Sequence, residues 1–238
     1  MKKVISFCIW GFCKIYTYSL FENALLIPQI FPDWEMVVYH TKNTDYNVIN
    51  ELKKIPYVEC VECDFPNHYR NTMLRFIAGF NPNYDYVIFR DCDARLNQRD
   101  YACVNEWIES GKDVHIIRDH PMNGLNYKMC AGMWGVKKGF FQEFNIQPKF
   151  ADFFSHLKND YWTLDERFLY FYIYPLLNED NSVIHTSCTK MEDWSQDFPE
   201  NAEPREKGHV GDTIGSTPIA SKHFKIITIN HAKKRADT

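Results

Sequence analysis

The chain predicts an α/β fold, a single domain with a mostly parallel central sheet flanked by helices and Rossmann-like in character. Three observations predict it. Short apolar runs alternate with helix-period segments through the first half, the pattern of β-α-β units. Tyr86 to Phe89 is apolar without interruption, as expected of a strand covered by helices on both faces. At 238 residues the chain is long enough for one substantial core, and no repeat or low-complexity tract divides it.

Val4 to Trp10 reads as the first strand, followed by Gly11 and an aromatic loop holding Phe12, Tyr16 and Tyr18. Asn23 to Ile30 is a short helix stopped by Pro32, and Trp34 to His40 is the second strand. Tyr46 to Lys54 puts Val48, Ile49 and Leu52 on one helical face, and Val58 to Phe65 is a third, partly polar strand. His68 to Phe80 is a helix whose apolar face carries Met73, Phe76, Ile77 and Phe80. After the central strand, Asn97 caps a helix from Gln98 to Ser110 with a stripe of Tyr101, Val104, Trp107 and Ile108, and Gly111 stops it.

Val114 to Ile117 is a further strand, and Met129 to Val136 is strand-like but broken by Gly132 and Gly135. Phe140 to Phe144 forms a short helix. Thr163-Leu164-Asp165-Glu166 is a capping-box pattern opening an aromatic helix that must end near Pro175. Val183 to Thr186 is a short strand. Residues 190–221, punctuated by Pro199, Pro204, Gly208, Gly211, Gly215 and Pro218, read as a long flexible loop that orders over a ligand, and Phe224 to Ile229 as a closing strand. The single domain is expected to divide into two halves, residues 1–96 and 97–238.

Composition is globular, with 45% hydrophobic and 24% charged residues. The net charge of -4 argues against nucleic acid as a partner, which calls for a basic stripe. Lys233-Lys234-Arg235 is the single dense basic run and reads as a solvated tail. Aromatics at 16% suit sugar- or base-stacking surfaces as well as cores. The eight cysteines are scattered. Cys60-x-x-Cys63 lacks a second pair at zinc spacing and would face opposite sides of a strand, so free thiols in a reducing compartment are expected. Met1-Lys2-Lys3 and the apolar run after it faintly resemble a signal peptide, but Lys14 follows quickly and no small-residue cleavage site appears. No stretch reaches transmembrane length, and a soluble, cytoplasmic protein is expected.

The chemistry concentrates where the central strand ends, at Arg90-Asp91-Cys92-Asp93. In extended backbone Asp91 and Asp93 point the same way and repel unless a cation sits between them. A hard divalent ion, Mn2+ or Mg2+, shared with a diphosphate fits that pair, and the carboxyl end of a strand is where open α/β sheets hold ligands. A solvated acidic turn capping the next helix is the plain alternative. Arg90 and Arg95 balance the pair, touch phosphate or form plain salt bridges, and Arg75, on the preceding helix, reaches the same pocket or is a surface residue. Arg118-Asp119-His120-Pro121 is a second polar cluster at a strand end, suited to sugar hydroxyls or proton transfer, or else a plain turn. Gly132-Met133-Trp134-Gly135 offers close backbone approach and an indole face for a pyranose, or a bulge with a core Trp. Asp165 is a candidate for touching the acceptor, and Glu166 reads as the capping-box partner. Among the late histidines His185, His209, His223 and His231, His209 between Gly208 and Gly211 is the one taken as a metal ligand.

Together these stretches resemble the GT-A glycosyltransferases, which bind a nucleotide-sugar and a divalent metal through a D-x-D motif. Phe89 to Leu96, Val104-x-Glu106-Trp107, Ile117 to Pro121 and Gly132 to Gly135 are similar to a block in predicted glycosyltransferases of microbes and large DNA viruses. Asp165-Glu166-x-Phe168-Leu169 resembles their D-Q-x-F-L stretch, with Glu166 in place of Gln. The similarity covers roughly residues 84–170. It implies that Asp93 binds Mn2+ or Mg2+, that Asp91 contacts ribose or a metal-bound water, and that the first strand and its loop, including Ile9, Trp10, Gly11 and Phe12, hold the base. Arg75, Arg90, Cys92, His120, Gly132, Met133 and Trp134 complete the implied donor site. The implied activity moves a sugar from a UDP- or GDP-linked donor to a glycan hydroxyl, with Asp165 or Asp119 as base if the configuration inverts. A nucleotidyltransferase, or a catalytically silent carbohydrate-binding module of the same fold, is the alternative.

Overall fold

The structure, a computed structural model, describes residues 1–120, 128–156, 163–187 and 190–213. Seven strands form one mixed sheet in the order β3-β2-β1-β4-β6-β5-β7: β1 Lys3–Ile9, β2 Trp34–Thr41, β3 Val58–Cys63, β4 Tyr86–Arg90, β5 Val114–Arg118, β6 Met133–Lys137 and β7 Ser182–Thr186. Only β6 runs against its neighbours, pairing antiparallel with β4 and β5. The fold is therefore the α/β class expected, with a mostly parallel sheet. The expected closing strand at 224–229, together with His223 and His231, lies outside the described residues.

Strand pleating divides the core. Val4 and Cys8 of β1 face one layer with Val37, Phe89 and Trp134, while Ile5, Phe7 and Ile9 face the other with Met36, Val38 and Ile88. The first layer is covered by the Tyr69–Phe80 segment, α4 (Phe140–Glu143), α5 (Ile146–His156) and α6 (Leu164–Phe168). The second is covered by α1 (Lys14–Ile30), α2 (Tyr46–Leu52) and α3 (Gln98–Ser110). Cys60 packs on the second side and Cys63 on the first, the opposed placement that strand spacing requires. Among the described residues no helix is long and apolar enough to cross a membrane.

Three elements differ from their sequence readings. The aromatic loop after β1 is the first half of α1, a 17-residue helix with Pro28 in its last turn. Its buried face mixes Leu20, Phe21, Ala24 and Ile27 with Thr17, Ser19, Glu22 and Asn23, which hides the apolar period. Residues 69–80 wind as tight 3-10 turns rather than an α-helix. The capping box does not form: Thr163 makes no side-chain cap bond, and the helix it opens continues through a wide π turn, Leu169–Ile173, to Leu176 beside Pro175.

Of the 190–221 segment, the described residues 190–213 are anchored at several points. Arg118, wholly buried, is held by Glu192 at 2.5 and 2.8 Å, Gln196 pairs with β7 through its backbone, and Val210 is buried.

A buried histidine pair lies between β5 and β7. His115 Nε2 and His185 Nδ1 are 2.9 Å apart, with Trp107 stacked on His115. Burial lowers the His185 pKa to about 4 even though Glu106 pulls it upward, and burial lowers His115 too. Both rings are neutral when folded, whereas an exposed imidazole in the unfolded chain takes a proton below about pH 6.5. Their contribution is complete above that value and is lost as pH falls towards about 4. Melting curves between pH 7.5 and 4.5 should show stability dropping by roughly 3 kcal/mol for His185 alone. An unchanged slope in His185→Gln would remove this pair as the cause.

Candidate active site

The chain leaves β1 towards β2 on one side, and β4 continues on the other, so the carboxyl ends of β1 and β4 flank a topological switch point. A cavity of about 700 Å³ opens there, within the usual range for small-molecule sites. Cys8, Ile9, Trp10, Gly11 and Phe12 from the β1 end line it, with Asp91, Cys92 and Asp93 from the β4 end. Arg75, His120, Met133, Asp165 and Glu166 complete much of the wall, with Gly211 and Thr213 from the late segment.

The loop carrying the two aspartates is fastened from α1. Asn23, wholly buried, donates to the carbonyls of Cys92 (3.2 Å) and Ala94 (2.8 Å) and accepts from the Leu96 amide (3.2 Å). Arg95 pairs with Glu22 of the same helix, so it is a brace rather than a phosphate contact. The sequence reading missed both functions of α1. The available signal was an adjacent Glu-Asn pair in an otherwise apolar stretch.

Arg75 stands at the centre of the site, 3% exposed. It donates to Asp91, to Asp165 at 2.5 Å and to the Arg90 carbonyl at 3.2 Å. Its own carbonyl accepts from Ser6 Oγ at 2.7 Å, which ties it to β1. The flanking carboxylates hold the guanidinium charged, outweighing the cost of its burial. Arg75 thus positions the aspartates. Asp165 is buried, pushed up by burial against the opposing pull of Arg75, and its second oxygen accepts from the Glu166 amide at 3.0 Å.

Gly132 is needed for space beside Asp91. A Cβ there would lie 1.9 Å from Asp91 Oδ2 and 3.0 Å from the Asp91 amide nitrogen. Asp93 differs from Asp91: half-buried, it has no cation within salt-bridge distance among the described residues. Burial and the neighbouring Asp91 charge push its carboxyl above the ordinary range.

Several expected site residues lie elsewhere. Arg90 is buried in a bidentate pair with Asp100, at 2.8 and 2.7 Å, and faces the core rather than the cavity. Trp134 is wholly buried between Phe89 and Phe76, so the core reading of the indole prevails. Asp119 is wholly buried and saturated, accepting from Arg99 (2.7 and 3.2 Å), Arg205 (3.2 Å), Ser187 and the Val210 amide (2.9 Å). These donors lower its pKa and leave no lone pair for a substrate proton. His209 lies outside the cavity wall, its ring 5.2 Å from that of His120, which does line it. The carboxylate that sequence reading set aside, Glu166, faces the cavity.

No protein-family model and no curated protein matches the chain. Among solved structures it is similar to S. aureus TarS 1-349, with TM-score 0.48 and 15% identity over 71% of this chain and 54% of that one. The same TarS 1-349 in complex with UDP-GlcNAc gives TM-score 0.46 and 16% identity over 61% and 48%. A glycosyltransferase involved in the glycosylation of the major capsid of PBCV-1 gives 0.44 and 15% over 78% and 82%. The chain thus spans about half the length of the TarS 1-349 structures. With likenesses this distant, what the site does is decided by its own residues.

Two outcomes test this geometry. Arg75→Met should destabilise the fold by about 3–5 kcal/mol, because it leaves buried carboxylates uncompensated. The double variant Arg75→Met/Asp165→Leu should recover part of that loss in chemical denaturation; purely additive losses would deny the coupling. Gly132→Ala should displace the Asp91 side chain, visible in a crystal structure as a broken Arg75–Asp91 pair. An intact pair there would show that the backbone gives way instead.

Proposed function

We propose that this chain is a glycosyltransferase that moves a sugar from a nucleoside-diphosphate donor to a hydroxyl acceptor on a glycan, with Mn2+ or Mg2+ as cofactor. The observation that carries the reading is Asp93. Its half-buried carboxylate has no cationic partner among the described residues, next to Asp91 at the sheet's switch point. A desolvated anion in that position is relieved by a cation.

The donor set suits a hard divalent ion. Among the described residues no cluster of three or more His, Cys, Asp or Glu side chains has metal-binding geometry. Mg2+-type ions, however, are commonly held by one or two carboxylates, with substrate phosphates and waters filling the remaining positions. Asp93 and Asp91 would hold the ion, and when bound it supplies positive charge to the departing diphosphate. The protein's own residues do the rest. Phe12, Tyr16 and Tyr69, each substantially exposed at the cavity, offer faces on which a nucleobase can stack. Arg75 keeps Asp91 and Asp165 fixed, so the site needs little reorganisation as charge develops. Asp165, committed to Arg75, orients rather than receives a proton.

Incubation with UDP- and GDP-sugars should release nucleoside diphosphate. Release of inorganic pyrophosphate would mark a nucleotidyltransferase, and no turnover with intact sugar binding a silent module. In calorimetry, nucleoside-diphosphate affinity with Mn2+ should exceed that with EDTA by roughly tenfold or more, about 1.4 kcal/mol. Asp93→Ala should remove the difference while leaving the melting temperature close to normal. Equal affinities with and without the ion would overturn the metal reading.

A further inference from the structure

We propose that a second groove, joined to the main cavity through Glu166, is the acceptor subsite, and that it holds a pyranose whose hydroxyl Glu166 deprotonates. The inference rests on the donor reading above and deepens it.

The groove has a volume of about 230 Å³ and is lined by Thr163, Glu166, Arg167, Tyr170 and Phe171, together with Lys128 and Met129. Among these, Glu166 alone also lines the donor cavity and is the residue the two spaces share. Tyr170 and Phe171 are 51% and 56% exposed, an unusual state for two adjacent large aromatics on a helix whose neighbours Phe168, Leu169 and Ile173 are buried. The cause is local. The π turn at Leu169–Ile173 offsets the helical period and leaves both rings on the outer side, a distortion common at functional sites. Their rings meet edge to face, 5.2 Å apart at 88°, and form a two-sided apolar corner. Thr163 and Arg167 line the same groove, and Lys128, whose ammonium lies over the Tyr174 ring at 4.5 Å, borders it. Aromatic walls with a few convergent polar groups suit the mixed apolar and hydroxyl faces of a sugar ring.

Glu166 is well placed as the proton acceptor. Its amide donates to Asp165, itself locked to Arg75, so the backbone beneath it is fixed while the carboxylate takes no part in a capping box. Burial first, and then the charges of Asp165 and Asp91, raise its pKa to about 8. A carboxylate tuned near working pH takes a hydroxyl proton more readily than an ordinary one. In the step itself the acceptor oxygen bonds to C1 of the donor sugar. The C1–O bond to the diphosphate breaks and its electron pair stays on the diphosphate oxygen. The hydroxyl proton passes to Glu166 and from there to solvent.

The test uses the intact chain and a fixed panel of methyl pyranosides (gluco, galacto, manno and N-acetylglucosamine forms) with UDP or GDP and Mn2+. Saturation-transfer NMR should detect at least one pyranoside, and Tyr170→Ala and Phe171→Ala should each weaken it at least fivefold. Glu166→Gln should keep pyranoside and nucleoside-diphosphate binding within threefold and melt normally. It should slow nucleoside-diphosphate release from the donor, with that pyranoside as acceptor, by a hundredfold or more. No pyranoside binding, or binding indifferent to both aromatic variants, would overturn the subsite; full turnover in Glu166→Gln would overturn the base. Failure of the nucleotide to bind while the pyranoside still binds would count against the donor reading instead.

Discussion

A guanidinium as deeply buried as that of Arg75 is tolerated only because acceptors surround it. Two carboxylates and a carbonyl receive its protons, and they come from places 15, 16 and 90 residues away in sequence. The arrangement ties the paired strands β1 and β4 to the start of α6. The Arg75 carbonyl accepts from β1, its side chain grips the end of β4, and Asp165 brings in the start of α6. Tight 3-10 winding at residues 69–80 serves this purpose, because it leaves carbonyls for side-chain donors: Ser6 bonds to Arg75, and Cys8 Sγ to Thr72 at 3.2 Å. The cavity is therefore built from strand ends that cannot drift apart without exposing a buried charge.

The same clamp sorts the acids of the site. Asp91 and Asp165 share one cation, while Asp93 and Glu166 have none at salt-bridge distance among the described residues. Burial and like charge outweigh the more distant pull of Arg75 on the latter two, and both are pushed upward. One arginine among four carboxylates leaves a surplus of negative charge in one cavity. Such a site favours both a bound cation and proton uptake. That division of labour follows from where the guanidinium sits.

Much of the fold was legible because local signals agreed. The helix Gln98–Ser110 begins where Asn97 caps it, through the Asp100 amide at 2.8 Å, and ends where Gly111 adopts φ 68. The apolar run of β4 and the acidic turn beyond it were equally plain. The polar clusters were not legible, because a buried ion pair and a substrate-binding group look alike in sequence. Arg90 finds Asp100, Arg118 finds Glu192 and Asp119 finds Arg99, partners 10, 74 and 20 residues distant. Nothing in Arg118-Asp119-His120 reports that distance. Glu166 was misread for the reverse reason: its local pattern matched a cap, and Thr163, at φ -108 and ψ 24, lacks the extended backbone a capping residue needs. Asn23 was hidden by its surroundings, since one buried amide among apolar residues carries no periodic signal.

Asp119 and Glu192 explain how a late, Pro- and Gly-rich segment becomes part of the cavity wall. Arg118 reaches forward from the end of β5 to Glu192, while Asp119 draws in Arg205 and the Val210 amide. Asp119 also joins Arg99 of α3, which bonds the Glu203 carbonyl at 2.9 Å. These contacts lay residues 203–210 across the sheet's carboxyl edge, and the chain then turns at Gly211, where φ is 85. A side chain at Gly211 would be strained by that φ and would meet Met133 Sδ at 2.6 Å, so glycine permits the close passage. Thr213 then bridges Ala94, next to Asp93. Arg118 and Asp119, read from sequence as part of a sugar-handling cluster, thus serve the site at one remove, while His120 lines the cavity itself. By saturating Asp119, the fold gives up a potential base at that strand end and gains a fixed wall beside Asp93, which has no cation at salt-bridge distance among the described residues.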